Sequence, residues 1–355
     1  MKILIIKTSS LGDIIHAFPV LDYLRTYYPE AQIDWVVERS FKELLEAHPL
    51  LTNVFSIETK KWRRNFLQKK TWGHLIKAIK QIRGCYYDYI FDLQGNTKSG
   101  LCTAFARSKY KIGFGKKTVS EWPNLLFTHL RFDPPPGYNI RDDYLFIVQN
   151  TIQKSAGSFQ GVELKIDFES HDKINELLED PKLQGGPKIM VCPGSHWINK
   201  RLSKETLHLF LNQMHIQIKA RFLFIWGSLD EKEICEELSA YFKGNSLVPN
   251  RFSFSVLQNL MSNMDLVLSM DSLPLHLAGT TSTPTYSFFG PSLAVKYRPE
   301  GPKHFAFQGA CPYGKIFNKR CPVLRTCQTG SCLKDVDALL LFQHFIKWWQ
   351  ELQKR

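Results

Sequence analysis

The sequence lacks several features that would assign a chain to a class at once. No apolar run approaches the ~18–20 residues needed to span a bilayer as a helix, and we expect the opening segment to be a buried strand rather than a signal peptide. No G-x-G-x-x-G follows the first predicted strand, and G-x-x-x-x-G-K-[ST] is absent. These absences disfavour a dinucleotide-dependent dehydrogenase and a P-loop NTPase.

Metal-binding patterns are also scarce. The only D-x-D is Asp335-Val-Asp337 at the start of the last predicted helix, where a capping role is favoured, and no C-x-x-C pair occurs. We therefore predict no catalytic metal and no cofactor. Free thiols are the favoured interpretation of the eight cysteines, and a structural zinc site is the alternative for the four nearest the end. Those four are Cys311, Cys321, Cys327 and Cys332.

Acidic side chains are few where basic ones concentrate. The chain has 46 Lys and Arg against 33 Asp and Glu, a formal net charge of +13. Residues 60–83 hold nine basic side chains and no acidic one. Such a segment is either a solvated helix face or the binding surface of an anionic partner, such as a phosphate, a nucleic acid or a membrane. The interleaved Trp62, Phe66 and Trp72 favour a membrane interface.

Short apolar segments alternate with helical periodicity along the chain. This pattern predicts an α/β protein with parallel sheets covered by helices on both faces. Glycines and Pro187 loosen the pattern over 150–187, so we predict two Rossmann-like, doubly wound domains, 1–165 and 166–335, facing across a cleft. The last helix, 336–355, is expected to pack back on the first domain. Ligands of such sheets bind at the carboxyl ends of the strands, which directs attention to the loops that follow them.

The loop after the first strand carries one candidate catalytic residue. Lys7-Thr-Ser-Ser-Leu-Gly-Asp13 ends where a helix begins. Asp13 is either a first-turn acid that complements the helix dipole or a general base beside the close approach that Gly12 allows.

Three loops of the second half suggest a diphosphate site. Lys200 follows the turn after strand 188–192 and is either a solvated lysine or the cation for a leaving diphosphate. Glu231 starts a helix and is either a first-turn acid or a ligand for a sugar hydroxyl. In Met270-Asp-Ser-Leu-Pro-Leu-His276, Asp271 or Ser272 caps a helix whose N-terminus favours anions, and His276 lies one turn further on.

Taken in order, these segments resemble the lipopolysaccharide heptosyltransferase I family (glycosyltransferase family 9). The resemblance rests on the first loop, on Met270–His276, and on further segments along nearly the whole chain. Those segments are Asp34-Trp-Val-Val-Glu38, Lys61-Trp-Arg-Arg64, Phe91-Asp-Leu-Gln-Gly-Asn-Thr-Lys-Ser99, the Lys200 loop and Trp226-Gly227 with Glu231. The cysteine-rich segment is more similar to heptosyltransferase II.

The resemblance implies the two-domain GT-B fold and a function. It implies inverting transfer of L-glycero-D-manno-heptose from ADP-heptose to the Kdo of Kdo–lipid A, at the cytoplasmic face of the bacterial inner membrane. Asp13 matches the general base of the family, and Lys200 its donor-phosphate lysine. Its remaining donor contacts match Ser195, His196, Glu231, Phe252, Asp271, Ser272, Leu273 and His276. Acceptor contacts are assigned to Ser10, Lys60, Lys61, Arg63 and Arg64.

The sequence departs from the family pattern at three of these positions. Asp271-Ser-Leu273 stands where Asp-Thr-Gly is usual, and Phe252 stands where methionine is frequent. Three alternatives stay open: heptosyltransferase II or another GT-B sugar transferase, a basic nucleic-acid-binding protein, and a catalytically idle module with the same fold. The absence of a helix-turn-helix, RRM or finger pattern disfavours nucleic acid as the partner.

Overall fold

The computed structural model describes residues 1–65, 68–155 and 157–354, without the side chains of residues 60, 63, 69 and 70. The chain divides into two compact units, Met1–Phe159 and Gln160–Arg355. This division lies six residues before the predicted boundary at residue 165. Each unit contains one six-stranded sheet in which neighbouring strands run parallel, which confirms the α/β class.

The first unit is a doubly wound sheet with strand order β3-β2-β1-β4-β5-β6. Its strands are β1 (Lys2–Ile6), β2 (Gln32–Glu38), β3 (Asn53–Ile57), β4 (Tyr86–Asp92), β5 (Arg107–Phe114) and β6 (Leu130–Phe132). Its helices are α1 (Leu11–His16), α2 (Phe18–Tyr27), α3 (Lys42–Glu46), α4 (Thr59–Arg64), α5 (Lys69–Arg83), α6 (Thr97–Phe105) and α7 (Ile140–Ile152), with 3-10 turns at Arg39–Phe41 and Trp122–Leu126.

The position of β1 in the sheet determines where the first loop lies. Residues Ile3–Ile6 of β1 are fully buried, because helices cover both faces of a parallel sheet and leave no polar face for the strand. β1 lies between β2 and β4, so the loop that leaves its carboxyl end starts at the middle of the sheet. The helical segment after this loop is two helices, α1 and α2, because the chain turns at Ala17, ahead of Phe18-Pro19.

One face of this sheet is covered by a layer of α5 and α6. Ala78 and Ile82 of α5, Cys102 of α6 and the C-cap residue Ala106 pack in one cluster with apolar side chains of β1, β2, β3 and β4. The 3-10 turn Trp122–Leu126 extends this layer, because Gly100 of α6 lets it approach closely. A Cβ on Gly100 would lie 2.5 Å from the Phe127 ring.

The second unit repeats the architecture with strand order β12-β11-β10-β7-β8-β9. Its strands are β7 (Lys188–Cys192), β8 (Arg221–Phe224), β9 (Ser246–Leu247), β10 (Leu266–Met270), β11 (Thr285–Phe289) and β12 (His304–Gln308). Its helices are α8 (Phe168–Glu179), α9 (Lys204–Ile218), α10 (Leu229–Ala240), α11 (Phe254–Ser262), α12 (Leu273–Ala278), α13 (Ala294–Tyr297), α14 (Ser331–Lys334) and α15 (Ala338–Gln353), with 3-10 turns at Pro181–Leu183 and Ile198–Lys200.

The C-terminal helix α15 packs within the second unit. Phe345 lies edge-on to Phe210 of α9, with ring centroids 5.6 Å apart, and edge-on to Tyr286 of β11 at 5.3 Å. Trp348 and Trp349 join the same core. The apolar stripe of α15 thus finds its aromatic partners on α9 and β11. Packing of 336–355 on the first domain stays a prediction.

Among the described residues, no helix combines the length and the apolar character that crossing a membrane requires. The eight cysteines are free thiols. Within the described ranges, no three His, Cys, Asp or Glu side chains form a group that could hold a metal ion.

Candidate active site

Asp13 is held at the start of α1 by a reciprocal cap. Ser10 is the N-cap residue, and Asp13 stands three positions into the helix. One oxygen of the half-buried Asp13 carboxylate, Oδ2, accepts a hydrogen bond from the Ser10 hydroxyl at 2.6 Å and one from the Ser10 amide at 3.2 Å. The structure therefore supplies the first-turn role of Asp13, and the same bonds fix the orientation that a general base needs.

The loop before Asp13 is fastened by residues that the sequence analysis did not assign. Gln94, just after β4, accepts hydrogen bonds at Oε1 from the backbone amides of Thr8 and Ser9, at 3.1 and 3.0 Å. Asp92 Oδ1 in turn accepts from the amides of Gln94 and Gly95, both at 3.0 Å. The adjacency of β1 and β4 is the signal that would have found this support, because the carboxyl ends of both strands lie at one edge.

A second unassigned residue is Lys7, which is buried although it is charged. Its Nζ lies 4.7 Å from the centre of the Tyr144 ring on α7. Burial lowers the pKa of Lys7, and the negative charges of Asp13 and Asp92 oppose that shift. Lys7 therefore interacts electrostatically with both Asp13 and Asp92.

The predicted acceptor residues fall on or beside α4 and α1. Ser10, Lys61 and Arg64 are exposed, and Lys61 Nζ lies 3.7 Å from Glu58 Oε1. The side chains of Lys60 and Arg63 lie outside the described residues. The exposed members are thus available to an anionic ligand, although Glu58 offsets part of the local charge.

In the second unit, three of the predicted donor residues meet. Lys200 ends the 3-10 turn after β7, and its Nζ lies 2.5 Å from Asp271 Oδ2, which follows β10. His276 Nε2 lies 3.6 Å from the other oxygen of Asp271. β7 and β10 are neighbours in the sheet, and all three side chains are buried. Lys200 is therefore one partner of an ion pair rather than an isolated cation.

The charge state of this cluster follows from its neighbours. Burial raises the pKa of Asp271, but the charges of Lys200 and His276 outweigh burial and hold the pKa below its ordinary value. Asp271 is therefore ionised at neutral pH. A lysine ammonium has three N–H donors, and the hydrogen bond to Asp271 uses one of them.

The helix after β10, α12, is short for an anion site that depends on the helix dipole. α12 has six residues and begins at Leu273, with Ser272 in the N-cap position but without a side-chain capping bond. Ser272 and Leu273 are half-buried at this end. A candidate anion site here therefore combines this short helix end with the buried side chains of Lys200 and His276.

Glu231 joins two turns of the second unit. Its Oε2 accepts a hydrogen bond from the Gly227 amide at 2.8 Å, and its Oε1 lies 3.5 Å from the Arg201 guanidinium. A Cβ on Gly194, in the turn after β7, would stand 2.2 Å from the Glu231 carboxyl carbon. Glycine is therefore required at 194 for this close approach.

The remaining predicted donor residues differ in exposure. Ser195 is buried, and its carbonyl oxygen accepts a hydrogen bond from Arg201 Nε at 2.7 Å. His196 is exposed and lies edge-on to the Trp197 ring at 5.0 Å. Phe252 is half-buried, just before the N-cap Ser253 of α11.

The cysteine-rich segment lies against the Lys200 turn. Asn199 Nδ2 donates hydrogen bonds to the carbonyl oxygens of Leu324 and Cys327, at 3.0 and 2.7 Å. A cavity of about 100 Å³ beside it is lined by Cys311, Cys321, Cys327 and Cys332, among other residues. Burial and the three other cysteines raise the pKa of Cys332 to about 11, so this thiol is protonated at neutral pH.

Comparison with known proteins identifies the family. Residues 75–326 match the family described as glycosyltransferase family 9 (heptosyltransferase). The chain belongs to this family. It is therefore a glycosyltransferase, as the sequence predicted.

Curated relatives of this glycosyltransferase are similar over most of their length. Lipopolysaccharide heptosyltransferase 1 of Campylobacter coli is 28% identical over 298 residues, covering 82% of this chain and 84% of the relative. The Pseudomonas aeruginosa protein of the same name is 26% identical, covering 82% of this chain and 79% of the relative. Lipooligosaccharide heptosyltransferase 2 of Campylobacter jejuni also matches, at 23% identity, over 95% of this chain and 94% of its own length.

Solved structures confirm the GT-B fold of this family 9 member. E. coli heptosyltransferase WaaC with ADP superposes with a TM-score of 0.78 at 19% identity, over 98% of this chain and 100% of that chain. E. coli ADP-heptose lps heptosyltransferase II gives a TM-score of 0.71 at 17% identity, over 99% of this chain and 100% of that chain.

Proposed function

We propose that this chain transfers L-glycero-D-manno-heptose from ADP-heptose to the Kdo of Kdo–lipid A in lipopolysaccharide core biosynthesis, with inversion at the anomeric carbon. Support for the donor comes from structural neighbours described with ADP and with ADP-2-deoxy-2-fluoro heptose. Support for the pathway comes from relatives named lipopolysaccharide heptosyltransferase 1. The structural observation that carries the proposal is the buried cluster of Lys200, Asp271 and His276 at the carboxyl ends of β7 and β10.

On the donor side, Asp271 positions the Lys200 ammonium toward the diphosphate. One N–H bond to Asp271 orients the group, and the other donors bind phosphate oxygens. As the bond between the anomeric carbon and the phosphate oxygen breaks, its electron pair stays on ADP. Lys200 and His276 stabilise the added negative charge. Ser195, His196, Ser272 and Leu273 complete the diphosphate and sugar contacts, with Glu231 on ribose or sugar hydroxyls and Phe252 against the adenine.

On the acceptor side, Asp13 removes the proton from the attacking Kdo hydroxyl. The new bond forms between that oxygen and the anomeric carbon, on the face opposite the leaving ADP. General-base catalysis of this kind is worth about 10²–10⁴-fold in rate. Ser10, Lys60, Lys61, Arg63 and Arg64 bind the carboxylates and phosphates of the acceptor.

The acceptor is a lipid, so the proposal includes peripheral contact of residues 60–83 with an anionic membrane, at the cytoplasmic face of the inner membrane. No nucleic acid is included, because a glycosyltransferase with two anionic substrates accounts for the basic segment.

A direct assay tests the proposal. The purified chain is incubated with ADP-heptose and Kdo–lipid A, and the product is analysed by mass spectrometry. A gain of one heptose on the Kdo acceptor is expected, with an inverted anomeric configuration by NMR. No transfer to this acceptor, with transfer to one that already carries a heptose, would overturn it.

Transfer only to an acceptor that already carries a heptose would identify the alternative function, that of heptosyltransferase II. A specific observation favours it as the runner-up. The match to lipooligosaccharide heptosyltransferase 2 extends over 95% of this chain, against 82% for the heptosyltransferase 1 relatives. The two acceptors are therefore assayed side by side at equal concentration.

A further inference from the structure

Several large apolar side chains are exposed on one helical layer of the first unit. Within the layer of α5, α6 and the turn Trp122–Leu126, the exposed fractions are 67% for Trp122, 68% for Leu126, 47% for Leu101 and 50% for Ile76. Scattered apolar residues on a surface need no explanation. A group of them on adjacent elements marks an interaction site.

The topology places these side chains on one side of the unit. The inner faces of α5 and α6 pack on the sheet through Ala78, Ile82, Cys102 and the C-cap residue Ala106. The turn is fastened to the same side by Asn124, whose Nδ2 donates to the buried Asp92 carboxylate at 2.6 Å. Because the three elements turn their inner faces to one sheet, their outer faces point away from it together.

The longest element of this layer, α5, carries only positive charge. α5 contains Lys69, Lys70, Lys77, Lys80 and Arg83 and no acidic residue. Lys77 and Lys80 line an open depression of about 450 Å³ with Gly73 and Ile76. Arg107 and Lys109, at the start of β5, add exposed positive charge beside the end of α6.

We propose that the outer surface of α5, α6 and Trp122–Leu126 docks on a bilayer of anionic phospholipids. We define these residues as the docking layer. Apolar and aromatic side chains enter the region between headgroups and acyl chains, while lysines bind lipid phosphates. This inference deepens the membrane contact of the proposed function, because it extends the contact from residues 60–83 to α6 and the Trp122 turn.

The charge distribution selects this partner over a second copy of the chain. In a symmetric dimer the same surface faces itself, so the lysines of α5 would face equivalent lysines. Like-charge contacts of this kind are unfavourable. An anionic bilayer supplies the opposite charge and an apolar interior at the same surface.

Vesicle binding without any acceptor tests the docking layer separately from transfer. The full chain is sedimented at physiological salt with vesicles of phosphatidylglycerol and phosphatidylcholine, and with phosphatidylcholine alone. We expect binding to the anionic vesicles that is at least tenfold stronger than to the neutral ones. Each lysine near the surface contributes about 1 kcal/mol, which corresponds to about fivefold in partitioning.

Variants locate the surface. Trp122→Ser with Leu126→Ser is expected to reduce partitioning about tenfold or more, and Lys77→Glu with Lys80→Glu to reduce it further. Phe168→Ser with Leu229→Ser is the matched control, because these side chains of the second unit are 80% and 77% exposed. The control is expected to bind as the unchanged chain does. All variants are expected to keep the melting temperature of the unchanged chain, since the replaced side chains are exposed.

Three results would overturn the docking layer. They are no preference for anionic vesicles, unchanged binding of the Trp122/Leu126 variant, and a dimer in lipid-free buffer that this variant converts to monomer. Transfer of heptose to a lipid-free Kdo acceptor is measured in parallel. If the chain fails to bind vesicles but transfers heptose normally, the docking layer is contradicted and the proposed function stands. If the chain binds vesicles but transfers no heptose, the proposed function is contradicted and the docking layer stands.

Discussion

Lys200 and Asp271 form a buried ion pair, with 2.5 Å between Nζ and Oδ2, and no other carboxylate is recorded within 4.0 Å of this ammonium among the described residues. A glycosyl donor that delivers a diphosphate to this lysine therefore meets an ammonium whose direction is already set. Burying this pair costs free energy in the folded state, because two charges are removed from water. Stability measurements can thus detect the pair independently of catalysis.

Replacing Asp271 should destabilise the second unit. Asp271→Asn leaves the Lys200 charge buried beside a neutral amide, and removing one partner of a buried pair typically costs about 3–5 kcal/mol. Urea unfolding is the measurement. Glu237→Gln is the matched control, because Glu237 pairs with Lys204 at the same 2.5 Å on the exposed surface. Exposed pairs contribute about 0–1 kcal/mol, so equal losses in the two variants would contradict a buried pair.

The same pair predicts a pH dependence. The pKa of folded Asp271 lies below its ordinary value, so the unfolded chain takes up the proton first as pH falls. The stability that Asp271 contributes is therefore complete above about pH 4, near the pKa of an unfolded aspartate. It declines as pH falls further, through the folded pKa. The difference in unfolding free energy between the unchanged chain and Asp271→Asn should shrink below that pH, and a difference that grew on acidification would exclude this assignment.

Replacing Asp13 should remove transfer without removing donor binding. Asp13→Asn keeps the shape of the side chain and abolishes its basicity, so kcat should fall by about 10²–10⁴-fold. ADP-heptose affinity, measured by calorimetry, should stay within about twofold. Asp22→Asn, on α2, is the matched control, because it makes the same change at a carboxylate outside the site, and it should leave kcat unchanged. Normal turnover of Asp13→Asn would eliminate Asp13 as the base.

Gln94 should act through the loop that carries Asp13. Gln94→Met keeps the volume but removes the oxygen that accepts from the amides of Thr8 and Ser9. We expect a lower kcat with an unchanged KM for ADP-heptose, because the loop loses its orientation while the second unit is untouched. Gln213→Met, on α9, provides the control. An equal rise in both substrate KM values would point to general destabilisation instead.

Two glycine-to-alanine substitutions should distinguish a glycine that a close contact requires from a glycine that only lowers helix propensity. Gly194→Ala places a methyl group where the Glu231 carboxylate stands, so Glu231 must move and the KM for ADP-heptose should rise. Gly73→Ala, within α5, meets no atom within 4 Å. It should leave the KM unchanged and stabilise the helix by about 1 kcal/mol. A tolerated Gly194→Ala would show that Glu231 does not contribute to donor binding.

The architecture was predictable because its signals are local. Buried runs such as Ile3–Ile6 and the cap at Ser203, which accepts from the Thr206 amide at 3.0 Å, follow from short stretches of sequence. For Lys200, Asp271 and His276, the sequence predicts that the three residues lie near one another but not which side chains form contacts. Loops after neighbouring strands converge at one sheet edge, but the pairing of Lys200 with Asp271 depends on side-chain geometry that spacing does not determine.

The supporting residues escaped the sequence analysis for a physical reason. Gln94 bonds the backbone amides of Thr8 and Ser9, 86 and 85 residues earlier, and Asp92 bonds the Asn124 side chain, 32 residues later. No periodicity marks such contacts. Lys7 is similar, since a lysine at a strand end is usually solvated. The partner of α15 was also unpredictable, because an apolar stripe shows that a helix face is buried and does not show against which element.

The side chain of Asn199 couples the Lys200 turn to a distant part of the chain. It ties the cysteine-rich segment 311–332 to the residue next to Lys200 through two carbonyl oxygens. A change in the length or sequence of that segment would move these carbonyl oxygens, and Asn199 and its neighbour Lys200 with them. Under the proposed donor role of Lys200, a stretch of chain that is remote in sequence would thus tune donor use while the strands and their loops stay as they are.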